Sequence, residues 1–138
     1  MPLRRTLNLP DATIGYAPGF LSTEEADEAF EAVGAVPGWS QRQITLFGRT
    51  HPVPRLSMWM GDFDYVYSGV RHVAAPWAGA VGELRLRVEA HTDCRFDGVL
   101  LNLYRNGLDH MGWHSDDEPE LGSTIASLSL GAERTFRL

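Results

Sequence analysis

The chain has 138 residues, 43% hydrophobic and 22% charged, which is the balance of an ordinary globular protein rather than a disordered one. That length supports one domain with its own core and excludes an α/β barrel or a two-domain dehydrogenase. The 12 basic residues are all arginine and face 18 acids, for a net charge of -6, so the chain as a whole is not a polyanion binder.

Taken in chain order, Ser22-Thr23-Glu24-Glu25 reads as a capping box, with Ser22 as N-cap and Glu25 at N3. Ala26, Ala29, Phe30 and Val33 follow at helical spacing, and Gly34 and Pro37 end that helix. Gln43–Phe47, Leu56–Trp59 and Asp64–Tyr67 are short strand candidates separated by Gly, Pro and Asp. A second helix is expected to begin near Pro76, with Trp77, Val81, Leu84 and Val88 on one face. Val99–Tyr104 is a stronger, mostly apolar strand, and Asn106-Gly107 signals a turn. Met111–His114, Thr124–Leu130 and Thr135–Leu138 read as further strands. Two helices ahead of a run of strands predict an α+β domain whose strand-rich part is a β-sandwich or jelly roll.

Charge is unevenly placed. Gly38 to Gly61 carries Arg42, Arg49 and Arg55 and no acid, whereas Asp109 to Glu120 carries five acids and no arginine. A local basic surface is therefore compatible with the negative total. Cys94 is the single cysteine, which suits a reducing, cytoplasmic setting and gives no sign of an activated thiol. No run of about 18 apolar residues is present, and Met1-Pro2-Leu3-Arg4-Arg5 lacks the apolar core of a signal peptide.

Two His-x-Asp triplets occur, His91-Thr92-Asp93 and His114-Ser115-Asp116. With 5 His and 9 Asp in the chain, random composition gives about 0.3 such triplets, so context must choose between them. On a helix, residues i and i+2 diverge, which makes His91 and Asp93 a helix end and a turn. In an extended segment they share a side, so His114 and Asp116 can chelate one borderline divalent ion such as Fe(II). Taken alone, Asp116-Asp117-Glu118 also reads as a solvated turn. Asn102 and Tyr104 stand at i and i+2 on their strand and face the same interior. Trp39, Phe47, Trp59, Tyr65 and Tyr67 taken alone read as ordinary core or strand-pair aromatics.

The stretch from Asn102-x-Tyr104 through Asp109-His110-Met111-Gly112-Trp113-His114-Ser115-Asp116-Asp117-Glu118 to Ile125-Ala126-Ser127-Leu128-Ser129-Leu130-Gly131 resembles the AlkB family of Fe(II)- and 2-oxoglutarate-dependent nucleic-acid dealkylases. Leu46-Phe47-Gly48-Arg49, Val53-Pro54-Arg55 and Tyr65-x-Tyr67-Ser68-Gly69 resemble the substrate-side hairpins of that family. The resemblance covers nearly the whole chain, and the repair branch with a His-x-Asp-Asp-Glu arrangement is the nearest in pattern. It implies a double-stranded β-helix (jelly roll) with N-terminal helices.

The resemblance also assigns roles. His114 and Asp116 match two iron ligands at the catalytic centre, and Asn102 and Tyr104 match residues that hydrogen-bond 2-oxoglutarate. Tyr67 matches an aromatic that stacks on the flipped base, and Tyr65 its neighbour at the pocket wall. Asp117 and Glu118 match acids at the base edge. Phe47 matches the finger that probes the duplex, and Arg49 and Arg55 sit where phosphate contacts are useful. The implied chemistry consumes O₂ and 2-oxoglutarate, hydroxylates an N-alkyl carbon and releases formaldehyde from alkylated DNA or RNA. A monomer without a membrane partner is expected.

The family pattern also has a second iron-binding histidine and a downstream arginine that clamps 2-oxoglutarate. No histidine follows His114, and Arg134 and Arg137 come too early to match the clamp. Residues 1–138 are therefore expected to be a single dioxygenase domain lacking its last strands, with weakened iron binding and impaired activity. Two other readings stand beside this one: a dioxygenase of the same fold acting on protein or lipid, and a non-catalytic nucleic-acid-binding remnant.

Overall fold

The computed structural model describes residues 5–67, 70–114 and 122–138, and the side chains of Tyr67 and Val70 are outside that description. Two compact units are present: residues 1–32 with 128–138, and residues 33–127.

In the first unit, β1 (Arg5–Asn8) pairs antiparallel with β2 (Thr13–Tyr16). Helix α1 (Thr23–Gly34) follows. Its start is the reciprocal box that the spacing predicts. The Glu25 N–H donates to Ser22 Oγ at 3.1 Å, and the Ser22 N–H donates to Glu25 Oε2 at 2.9 Å. Two amides that the helix cannot pair are thereby satisfied. Ala26, Ala29 and Val33 are half-buried, as the periodicity requires. The Phe30 ring packs so closely on Gly131 that a Cβ there would meet it at 2.7 Å.

The second unit is built around one strand pair, β5 (Leu56–Gly61) and β8 (Gly98–Leu103), antiparallel with Ser57 opposite Asn102 and Trp59 opposite Leu100. Alternation sends successive side chains to opposite faces. Met58, Met60 and Leu101 point to one face and form a buried cluster with Val81 of α2 (Gly79–Thr92). Arg55, Ser57, Trp59, Leu100 and Asn102 belong to the other face. The remaining strands form two hairpins, β3 (Gln43–Leu46) with β4 (Arg49–Pro52) and β6 (Tyr65–Tyr67) with β7 (Val70–His72).

The free edge of β5 is held by two passing segments. Ser40 exchanges backbone hydrogen bonds with Ser57 at 2.9 and 3.2 Å. Ala75 donates to the Trp59 carbonyl at 3.0 Å and accepts from the Gly61 amide at 3.1 Å. These dockings bring the segments leading to Arg42 and from His72 to the same strand.

Several expectations need correction. The helices do not precede the strands: five strands, β3 to β7, lie between α1 and α2. Helix α2 begins at Gly79, so Trp77 lies before it, stacked under the Arg85 guanidinium at 4.3 Å. Met111–His114, Thr124–Leu130 and Thr135–Leu138 are not strands. Apolar, branched sequence makes a strand only where a ladder partner exists, and none is hydrogen-bonded to these segments among the described residues. Tyr104 lies one residue beyond β8.

Asp64 ties the β6–β7 hairpin. It accepts the Ala74 amide at 2.8 Å and the Arg71 Nε–H at 2.9 Å. The Ala74 amide first and the Arg71 guanidinium second hold its carboxyl below the ordinary value of 3.8. A lowered folded-state value stabilises above the unfolded carboxylate range and loses that contribution as pH falls through the folded value. Asp64→Asn is therefore expected to destabilise the protein at pH 6 and to matter progressively less below 3.8, as urea unfolding at both pH values would report. A stability gap independent of pH would contradict this.

Candidate active site

A cavity of about 310 Å³ opens on the second face of the β5–β8 pair. Arg42, Arg55, Ser57, His72, Leu100 and His114 line it, together with part of β3. No acid is among the described lining residues. Strand β3 carries the wall directly to the Phe47-Gly48 turn, where both residues have positive φ, 52° and 75°. Phe47 is 104% exposed at that tip, and Arg49 is exposed beside it at the start of β4.

The segment bearing His114 is anchored by polar contacts rather than by a ladder. Asn106 Oδ1 accepts the Leu108 amide at 2.9 Å, the turn that Asn106-Gly107 predicts. Asp109, 5% exposed, accepts the Arg105 amide at 2.9 Å and the Arg105 Nε–H at 2.8 Å. Hydrogen bonding to Asp109, and then the charge of that carboxylate, raise the Arg105 guanidinium above its ordinary value. The His110 amide then donates to the Pro54 carbonyl at 2.9 Å. Residues 111–114 are thereby carried along the cavity beside Arg55.

His114 Nδ1 lies 2.9 Å from the Gly112 carbonyl. A carbonyl can only accept, so this contact selects the tautomer with the proton on Nδ1 and the lone pair on Nε2. That is the arrangement of a metal-ligating histidine. Asp116, Asp117 and Glu118 lie outside the described residues. Among the described residues, no three His, Cys, Asp or Glu side chains gather closely enough to hold a metal ion. Among the described residues, His114 is one ligand of suitable chemistry, without a full donor set around it. Arg42 and Arg55 on the cavity wall carry positive charge that a dianion such as 2-oxoglutarate would offset.

The other expected residues are less uniformly placed. Arg55 lines the cavity, and its Nε–H donates to Asn102 Oδ1 at 3.0 Å. Tyr65 is 4% exposed and stacks on Trp59 at 4.8 Å between ring centroids. It is not among the described residues that line this cavity. Tyr67 closes β6, with its side chain outside the description. His91 is in the last turn of α2 and Asp93 is its left-handed C-cap, which separates that triplet from metal chemistry.

Sequence reasoning missed His72. It is 5% exposed, sits opposite Tyr65 in the β6–β7 register and lies 6.3 Å from that ring. Burial first, then the charges of Arg42 and Arg55, hold its imidazole below the ordinary value of 6.5, favouring the neutral form. The available signal was its place in Val70-Arg71-His72, a strand-like triplet following Tyr65-Val66-Tyr67.

The model of the 2OG-Fe(II) oxygenase superfamily matches residues 13–138. The chain belongs to that superfamily. Its relatives include human alpha-ketoglutarate-dependent dioxygenase alkB homolog 3, 42% identical over 124 residues, covering 88% of this chain and 43% of that protein. Human DNA oxidative demethylase ALKBH2 is 39% identical over 119 residues, covering 81% and 46%. The Arabidopsis thaliana protein of the same name is 32% identical over 146 residues, covering 99% and 46%. The chain therefore spans less than half the length of these curated relatives. The AlkB resemblance drawn from Asn102 to Gly131 agrees with this membership, and the superfamily implies Fe(II) and 2-oxoglutarate as cofactors.

Proposed function

We propose that this chain serves an Fe(II)- and 2-oxoglutarate-dependent dioxygenase that removes N-alkyl groups from bases of DNA or RNA. The observation that carries the reading is the cavity that joins His114 to Arg42 and Arg55 and continues along β3 to the exposed Phe47. A base must leave its stack to be modified, so an enzyme of this kind needs a slot, a cationic rim for the backbone and a probe for the vacated position. Arg49 at the hairpin and Arg55 in the cavity supply positive charge along that route. Fe(II) with 2-oxoglutarate and O₂ supplies the oxidation when bound.

His114, with Asp116, is assigned to the iron. Asn102 and Tyr104 are assigned to 2-oxoglutarate; the Asn102 amide is oriented by Arg55, which leaves its NH₂ group to donate. Tyr67 is assigned to stack on the flipped base and Tyr65 to stand beside it at the pocket wall, with Asp117 and Glu118 at the base edge. The jelly roll, with residues 1–138 in one dioxygenase domain, is part of this reading, as are a monomer and a cytoplasmic setting. Among the described residues, no helix is long and apolar enough to cross a membrane.

The test is turnover of oligonucleotides carrying N-methylated bases by the protein that contains these residues. Formaldehyde and succinate are expected in equal amounts. His114→Ala is expected to lower the rate at least roughly 100-fold, since even the partners behind a metal ligand are worth 10–100-fold. Succinate formation that ignores methylated nucleic acid but responds to a protein or lipid would replace the substrate assigned here.

A further inference from the structure

We propose that Asp109, through its ion pair with Arg105, is a positioning residue for His114: it sets where that imidazole stands relative to Asn102 and Tyr104 at the end of β8. That His114 takes iron rests on the function proposed above; that Asp109 places it does not.

Strand β8 is held by its ladder with β5 as far as Leu103, which pairs with Leu56. From Tyr104 to His114 the chain is in no strand or helix. A segment of that kind opens easily unless other contacts close it. Here the closure is concentrated on one side chain.

The Asp109 side chain is 8% exposed, and Arg105 donates to it three times. The Arg105 amide and Nε–H reach Oδ2 at 2.9 and 2.8 Å, and Nη2 reaches Oδ1 at 3.1 Å. These bonds close a ring over residues 105–109, with Asn106 Oδ1 accepting the Leu108 amide inside it. The entry to the ring continues directly from β8. Its exit is tied to the approach to β5, because the His110 amide donates to the Pro54 carbonyl at 2.9 Å. Both ends are therefore referred to the same strand pair, and His114 follows four residues after the exit.

A carboxylate suits this place for a physical reason. A buried ion pair adds little net stability, because lost hydration offsets the attraction; its better-attested use is to select one conformation. A guanidinium fork on two carboxylate oxygens admits few geometries. An asparagine would turn its NH₂ group toward donors of Arg105 and satisfy at most part of the set. The conformation selected includes the His114 contact, since Nδ1 lies 2.9 Å from the Gly112 carbonyl within the segment the ring carries.

The test uses the ¹⁵N-labelled protein that contains these residues, free of metal, with Mn²⁺ as the probe. Asp109→Asn is expected to weaken Mn²⁺ binding about tenfold, the lower end for groups standing behind a metal ligand. It is also expected to move neutral His114 from the Nδ1–H tautomer toward a mixture, read from the ring ¹⁵N resonances. Arg105→Gln alters the same pair from its more exposed side, 42% against 8%, and is expected to give both changes; it decides the question if Asp109→Asn does not fold. Met60→Ala, a packing change on the opposite face of β5, is expected to move neither readout.

Variants of Asp109 and Arg105 that fold and leave both Mn²⁺ affinity and the His114 resonances unchanged overturn the positioning role and leave the iron reading standing. An equal loss of Mn²⁺ affinity in Met60→Ala also overturns it, reducing Asp109 to a contribution to stability. If His114→Ala leaves Mn²⁺ affinity unchanged, the iron reading falls instead, and the ring resonances alone then decide whether Asp109 places His114.

Discussion

Met60→Ala is expected to lower the unfolding free energy by about 2–5 kcal/mol. Met60 is 1% exposed and is the only large side chain fully buried among the described residues. It packs with Met58, Leu101 and Val81 at the contact between β5 and α2. Truncation there loses both the transfer of the thioether from water and the contacts around the cavity that is left. Against a typical domain stability of about 5–15 kcal/mol, that is a large fraction. Urea titration should show a lower midpoint at unchanged slope. Met60→Leu, which nearly conserves volume, is expected to cost less than about 1.5 kcal/mol. Equal losses for the two variants would mean that packing volume is not what Met60 contributes.

The second large effect is expected at Gly98→Ala. Gly98 faces the same side of the sheet as Trp59, and a Cβ there would land on the six-membered ring of that tryptophan. The ring cannot swing away cheaply. Its Nε1–H is bonded to Phe63 and its face is stacked on Tyr65. Overpacking of this kind costs about 1–3 kcal/mol. The displacement also has a direction: Trp59 supports Tyr65, and Tyr65 supports His72. Gly98→Ala is therefore expected to weaken ligand binding in the cavity as well as stability, which Met60→Ala on the opposite face should not do. Unfolding curves and 2-oxoglutarate titrations on the two variants separate these outcomes. Loss of binding in Met60→Ala alone would reverse the assignment of faces.

How much of this was legible in the sequence depended on how local the cause was. The α1 cap was readable because Ser22 and Glu25 satisfy each other's amides within one turn. Strands β5 and β8 were readable because their residues are apolar enough for a two-sided burial pattern. Strands β1 and β4 were not, since every residue in them is exposed and no alternation marks them. Met111–His114 looks like a strand but is carried by the buried Asp109 and the Pro54 carbonyl, both decided by tertiary contact. His114 and Arg55 could be named from their motifs. His72 could not, because its importance comes from Arg42 and Arg55 lying near it and from its burial, none of which a linear pattern carries.

The alternation of β5 has a consequence for how such a protein can diverge. Met58 and Met60 serve the core, while Arg55 and Ser57 serve the cavity, so the two duties fall on even and odd positions of one short segment. Substitutions at odd positions can retune which ligand is held while the even ones keep the fold intact, and the reverse also holds. A single inserted residue near Leu56 would exchange the two sets at once. This stretch should therefore tolerate replacement far better than it tolerates a change in length.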